Sequence, residues 1–137
     1  MASSGETVKL VLVIDDDATI REMLMEFVVQ GGFRAEGAVD GEDGLRKAMS
    51  LKPDLIFLDL MLPRYGGFEL LRQFKANGLS SVPIVIVTGR STDRPTVEMI
   101  RQEANVVEFF EKPVKPNVLA MTLQRLLNPS AAASEAS

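Results

Sequence analysis

Four apolar runs in this chain each lead to a polar residue able to do chemistry. Leu10 to Ile14 stops at Asp15 and Asp16, Leu55 to Leu58 at Asp59, Ile84 to Val87 at Thr88, and Val106 to Phe110 just before Lys112. Short apolar runs bounded by polar breaks read as buried parallel strands. Open α/β sheets hold their ligands at the carboxyl ends of such strands. Three carboxylates, a hydroxyl and an ammonium would then meet at one edge of a sheet. Carboxylates that close either raise a pKa or recruit a cation. The chain has no His and no Cys, so a hard divalent ion such as Mg²⁺, held by oxygen and sharing phosphate oxygens, is the natural answer.

A carboxylate can attack phosphorus to give an acyl phosphate when a metal and a cation neutralise the charge spreading over the equatorial oxygens. Mg²⁺ and Lys112 would fill those two roles around Asp59. Gly89 follows Thr88 and leaves room for phosphoryl oxygens near the backbone while the hydroxyl donates to them. Each residue also has a plainer reading. One of Asp15, Asp16 and Asp17 can simply cap a helix, a lone Asp at a strand end is commonly a turn residue, and a lone Lys is most often solvated with its stem laid on the surface. Thr88 alone is unremarkable. The joint pattern is what favours chemistry over capping and turns.

Composition narrows the field further. The chain has 137 residues, 46% of them hydrophobic, which suits one domain with one core. A net charge of −4 argues against direct nucleic-acid binding. Without His or Cys there is no Ser-His-Asp triad, no thiolate metal site and no disulfide, so any phosphohistidine must come from another molecule. The first residues do not form a signal peptide and no run approaches a membrane span of about 20 residues, so a cytoplasmic location is expected.

Strand-like runs alternate with helical patterns five times. Asp16 or Asp17 caps a first helix carrying Ile20, Leu24, Phe27 and Val28, which Gly31-Gly32 stops. Phe33 to Gly37 is a weak second strand. Leu45, Ala48 and Met49 give the second helix its buried stripe, and Phe68, Leu70, Leu71 and Phe74 mark a third between Gly66-Gly67 and Asn77-Gly78. Thr92 or Asp93 caps a fourth, with Pro95 in its first turn and Val97, Met99, Ile100 and Ala104 on its apolar side. Arg94, Glu98, Arg101 and Glu103 would be its solvated face or a partner surface. Pro116 begins the fifth, lined by Leu119, Leu123, Leu126 and Leu127. Phe109 and Phe110 should face opposite sides of the last strand. Right-handed crossovers fold five such units into a doubly wound α/β domain with a five-stranded parallel sheet and five helices. Residues 8–127 are expected to form this domain, 1–7 a disordered start, and 128–137 a flexible tail or the beginning of a linker.

The motifs VLVIDDD, PDLIFLDLMLP with GGFELLR, VPIVIVTG and FFEKPVKP, in this order and spacing, resemble those of the receiver domains of bacterial two-component response regulators, the chemotaxis-regulator-like family. The resemblance covers residues 8 to 127. It implies a flavodoxin-like fold of receiver type, with Asp59 accepting a phosphoryl group from a sensor histidine kinase or a phosphotransfer protein. It further implies Mg²⁺ held by Asp16, Asp59 and the backbone carbonyl of Met61, with Asp15 acting nearby through water. Thr88 and Lys112 would contact the phosphoryl group, and Phe109 would turn inward as Thr88 moves. The surface of the fourth helix, fifth strand and fifth helix would then report to a downstream target or output domain, or pair with a second copy. Such a chain catalyses only its own phosphorylation and dephosphorylation.

Three departures from the family pattern stand out. Asn105-Val106 replaces a usual Gly-Ala pair; Asn tolerates a left-handed backbone, whereas Val fills space often left for the moving aromatic. Phe109 lacks the hydroxyl of the frequent Tyr, so its switching would be apolar packing alone. Met61 and Arg90 occupy variable positions that tune phosphoryl lifetime. Two rivals are an aspartyl-phosphate hydrolase, whose second Asp is replaced here by Met61, and a non-phosphorylated interaction module on the same fold.

Overall fold

The strand β1 (Leu10–Ile14) is five consecutive apolar residues, and all five are buried. A strand apolar on both faces needs cover on both sides. The computed structural model, which describes residues 8–63, 65–89 and 93–128, supplies that cover. Among the described residues β1, α1 (Ala18–Gln30), β2 (Arg34–Ala38), α2 (Gly41–Leu51), β3 (Leu55–Leu58), α3 (Gly67–Ala76), β4 (Ile84–Thr88), α4 (Arg94–Arg101), β5 (Val106–Glu111) and α5 (Pro116–Leu127) follow one another. The strands form one parallel sheet in the order β2-β1-β3-β4-β5. This is the expected doubly wound fold, and successive crossovers leave β1 and β3 in opposite directions.

Alternation along the strands divides the core in two. Leu12, Ile14, Ile56, Leu58, Ile84 and Ile86 meet Ala48 of α2, Leu70, Leu71 and Phe74 of α3, and Ile100 of α4. Val11, Val13, Leu55, Phe57, Val85 and Val87 meet Leu24 and Val28 of α1, and Leu119, Leu123 and Leu127 of α5. Between β4 and β5 the register slips: Ile84 pairs with Val106 but Val85 with Glu108, so Val107 of β5 is passed over. Such a bulge re-aims the side chains beyond it. Phe109 then joins the first core and Phe110 the second, as the alternation predicts.

Helix starts follow the sequence closely. Asp17 caps α1 through the amides of Thr19 and Ile20, and Asp93 caps α4 through Thr96. The alternative cap Thr92 lies outside the described residues, as do the expectations for 1–7 and 129–137. At α2, Asp40 accepts from the Asp43 amide while Asp43 reaches back to the Val39 amide, a reciprocal cap that satisfies two otherwise orphaned donors.

Several local expectations are corrected. The second strand runs one residue later than Phe33 to Gly37, because the Phe33 amide still donates to the Val28 carbonyl at the end of α1. Met49 and Met99 are exposed rather than core, since a helical stripe narrows toward its margins and these sit at the edge. Ala104 falls beyond the end of α4, which stops at Arg101. The left-handed backbone that Asn tolerates is not used at Asn105, since Lys52 alone among described non-glycine residues has positive φ. Asn105 is instead buried, with its Nδ2 donating to the Val82 carbonyl and its own carbonyl accepting from the Ile84 amide. No helix among the described residues is long and apolar enough to cross a membrane.

Candidate functional site

Each reactive side chain stands where the backbone ladder runs out. The Asp15 amide donates to the carbonyl of Ala38 on β2 (3.2 Å), the Asp59 amide to Ile14 on β1 (3.1 Å), and the Lys112 amide to Thr88 on β4 (2.7 Å). Sheet register therefore fixes these residues relative to one another before their side chains make any contact. Ile14 pairs with Leu58, which sets Asp15 and Asp59 side by side at the point where the crossovers diverge. The Lys112–Pro113 peptide is cis.

The side chains converge as expected. Lys112 Nζ lies 2.8 Å from Asp15 Oδ2 and 3.0 Å from Asp59 Oδ2, bridging them. Thr88 Oγ1 donates to the other Asp59 oxygen, Oδ1, at 3.2 Å, and the Met61 amide donates to the same atom at 3.0 Å. Asp15, Asp59 and Thr88 are only 2%, 5% and 1% exposed. Asp16 is exposed, yet one of its carboxylate oxygens lies with one from Asp15 and one from Asp59 in a group spanning at most 4.8 Å. This acidic triad has the donor chemistry and spacing expected for a divalent metal.

Burial pushes the Asp15 carboxyl above its ordinary value, with the nearby Asp59 charge adding to the rise, and the hydrogen bond from Lys112 only partly offsets it. Burial would depress Lys112, but its hydrogen bonds to Asp15 and Asp59 outweigh that and raise it. Lys112 therefore stays an ammonium at neutral pH, set between two acids. Its charge offsets the crowding of the Asp15 and Asp59 carboxylates.

Phe109 belongs to a different neighbourhood. Its partly buried ring packs on the first core cluster and lies under the Arg101 guanidinium, 5.0 Å from the ring centre. It also lines an open groove of about 600 Å³ with Gly89, Val97 and Glu111. The half-exposed Met61 side chain lies outward, 53% exposed.

Two residues escaped the sequence reading. Arg21 of α1 extends its Nη1 to the Asp15 backbone carbonyl at 2.8 Å. Tyr65 packs so closely over Gly41 that a Cβ there would lie 2.4 Å from its ring. The faint signals were an Arg one turn into a helix that follows an acidic strand end, and a Gly directly after a helix-capping Asp.

Comparison with known proteins agrees with this geometry. A family model described as the response regulator receiver domain matches residues 11–124. The transcriptional regulatory protein AfsQ1 of Streptomyces coelicolor is 35% identical over 116 residues, which is 85% of this chain and 50% of that protein. The DNA-binding response regulator MtrA of Mycolicibacterium paratuberculosis is 37% identical over 117 residues, with the same shares. The chain thus spans about half the length of these curated relatives. The crystal structure of a response regulator receiver protein from Pseudomonas putida superposes with a TM-score of 0.82 at 28% identity, covering 88% of this chain and 98% of the other. With the sheet order, the acid cluster and the family match in agreement, this chain belongs to the response regulator receiver domains.

Proposed function

We propose that Asp59 is the phosphoacceptor and that it takes a phosphoryl group from a phosphohistidine of a sensor kinase or phosphotransfer protein. The observation that carries this reading is the Lys112 ammonium bridging Asp15 and Asp59, with the Thr88 hydroxyl on the same Asp59 carboxylate. In the transfer an Asp59 oxygen forms a bond to phosphorus. The bond from phosphorus to the donor imidazole breaks, and its electron pair stays on that nitrogen. Lys112 and Thr88 are the cation and hydroxyl donor for the oxygens that gain charge.

Asp15, Asp16 and Asp59, with the Met61 backbone carbonyl, would hold Mg²⁺, whose oxygen-only preference fits this donor set. When bound, the ion neutralises carboxylate and phosphoryl charge. Phosphorylation adds about −1.5 to −2 charge and new acceptors at Asp59. Thr88 and Lys112 satisfy that charge best in one arrangement of the loops after β4 and β5, which shifts a pre-existing equilibrium. Phe109, in the groove beside Gly89, follows by apolar packing, and the α4, β5 and α5 surface meets a downstream target, an output domain or a second copy.

By this reading the chain acts in the cytoplasm, residues 8–127 form the signalling unit and 128–137 lead away from it, and the chain modifies only itself. Incubation with acetyl phosphate and Mg²⁺, followed by intact mass, should show one added phosphoryl group that is lost in chelator and in Asp59→Asn. An unchanged mass would favour the interaction-module reading. Turnover of a generic aryl phosphate would favour the hydrolase.

A further inference from the structure

We propose that Arg21 is a positioning residue for the cation site, holding Asp16 in place through the peptide bond that joins it to Asp15; this rests on the divalent-cation reading of the acidic triad. The carbonyl that accepts from Arg21 Nη1 at 2.8 Å is that of Asp15. It therefore belongs to the Asp15–Asp16 peptide, and a peptide is planar. Holding its oxygen orients that plane and with it the position of the Asp16 Cα, from which the side chain starts.

Asp16 needs such a hold more than its neighbours. Asp15 is buried and tied by Lys112 and by the Asp17 amide. Asp59 is buried and receives Lys112, Thr88 and the Met61 amide. Asp16 is exposed, yet its carboxylate still reaches within the 4.8 Å span of the triad. Its placement comes from its backbone. That backbone is held on one side by the Asp15 amide on Ala38, on the other by Asp17 capping α1, and between them by Arg21.

The route of the Arg21 side chain is built into β2. A Cβ on Gly37 would stand 3.1 Å from Arg21 Cδ and 2.8 Å from Met25 Sδ. Glycine at this position leaves a lane across the sheet edge in which the arginine stem lies. One residue on a helix and one bare position on a neighbouring strand thus converge on a single carbonyl of the site. Residues that orient metal ligands from behind typically change affinity 10- to 100-fold when removed.

Two consequences of Arg21 oppose each other and can be separated. As an anchor it should favour cation binding; as a nearby positive charge it should oppose it. Calorimetric titration of the unphosphorylated protein with MgCl₂ measures the balance directly. Arg21→Met, which keeps the stem and removes donor and charge, should weaken Mg²⁺ binding roughly tenfold. Arg21→Lys, which restores a donor and the charge, should recover part of that loss. Gly37→Ala, which leaves Arg21 intact but crowds its stem, should show a smaller loss in the same direction. Melting curves in EDTA identify any variant that fails to fold, and the other two then decide. Unchanged or tighter Mg²⁺ binding in Arg21→Met, or in both remaining variants should it not fold, would overturn the positioning role. If the wild-type protein itself binds no Mg²⁺, the triad reading falls, and this inference with it.

Discussion

At the scale of single residues, the two adjacent aspartates of the VLVIDDD motif divide their labour by exposure. Asp15 is sealed against Lys112, whereas Asp16 faces solvent. Because burial raises Asp15, its protonated form is favoured by folding. The stabilising share is therefore fully present below the unfolded value near 3.8 and is lost as pH rises through the higher folded value. In EDTA at neutral pH, Asp15→Asn should melt a few degrees above the wild type, and the gap should close as pH falls toward 3.8; melting curves across that range check this. Asp16→Asn should change stability by no more than about 0.5 kcal/mol, as exposed substitutions do, while abolishing Mg²⁺-dependent phosphorylation in the intact-mass assay. The sequence showed which residues belong together, because strand ends are readable from apolar runs. It could not show that Asp15 is buried and Asp16 exposed, since that depends on Lys112 arriving from 97 positions away.

At the scale of elements, α2 lies against β1 with nothing to spare. A Cβ on Gly44 would stand 2.7 Å from Ile14 Cδ1 and 3.0 Å from its Cγ2. Alanine ordinarily favours a helix over glycine by about 1 kcal/mol, but overpacking a core costs about 1–3 kcal/mol. Gly44→Ala should therefore destabilise the protein, read as a lower urea midpoint with unchanged slope. The start of the same helix carries a pH signature. Burial opposes ionisation of Asp43, yet the Val39 amide with Lys47 and Arg46 outweighs it and lowers its pKa. Its contribution is present above the ordinary carboxylate value of 3.8 and is lost as pH falls through the folded one. Asp43→Ala should accordingly lose most against the wild type at neutral pH and least in acid. Helix existence and capping were legible because Asp, Gly and Pro signal locally. The margins were not: Met49 and Met99 fit a helical stripe, and only the neighbouring elements decide how wide that stripe is. Arg21 was hidden for a similar reason, because the carbonyl it serves becomes a target only after β1, α1 and β2 have assembled.

At the scale of the whole molecule, the residues proposed for chemistry and those proposed for readout sit on connected parts of one sheet. Asp59 directly follows β3, Thr88 ends the adjacent β4, and Phe109 pairs with Ile86 across to β5. Moving a two-state equilibrium from mostly off to mostly on needs about 5.5 kcal/mol of differential binding, within reach of several charge-assisted bonds. With beryllofluoride and Mg²⁺, amide exchange should slow in α4 and the β4–β5 end of the sheet while β2 stays unchanged. Equal rates throughout α4 with and without the mimic would rule out that route. The fold class itself was legible because five strand-helix alternations admit few right-handed windings. The bulge at Val107 was not, since a single skipped residue leaves no mark in composition.

The sheet ends in β2 on one side and β5 on the other. Both outermost strands carry charge along their length, Arg34 and Glu36 on the first, Glu108 and Glu111 on the second. Unpaired strand borders invite copies of a chain to zip together into fibres, and charged side chains along them discourage it. Charge along both borders therefore disfavours backbone zipping between copies, and leaves contact across the α4, β5 and α5 face to side chains.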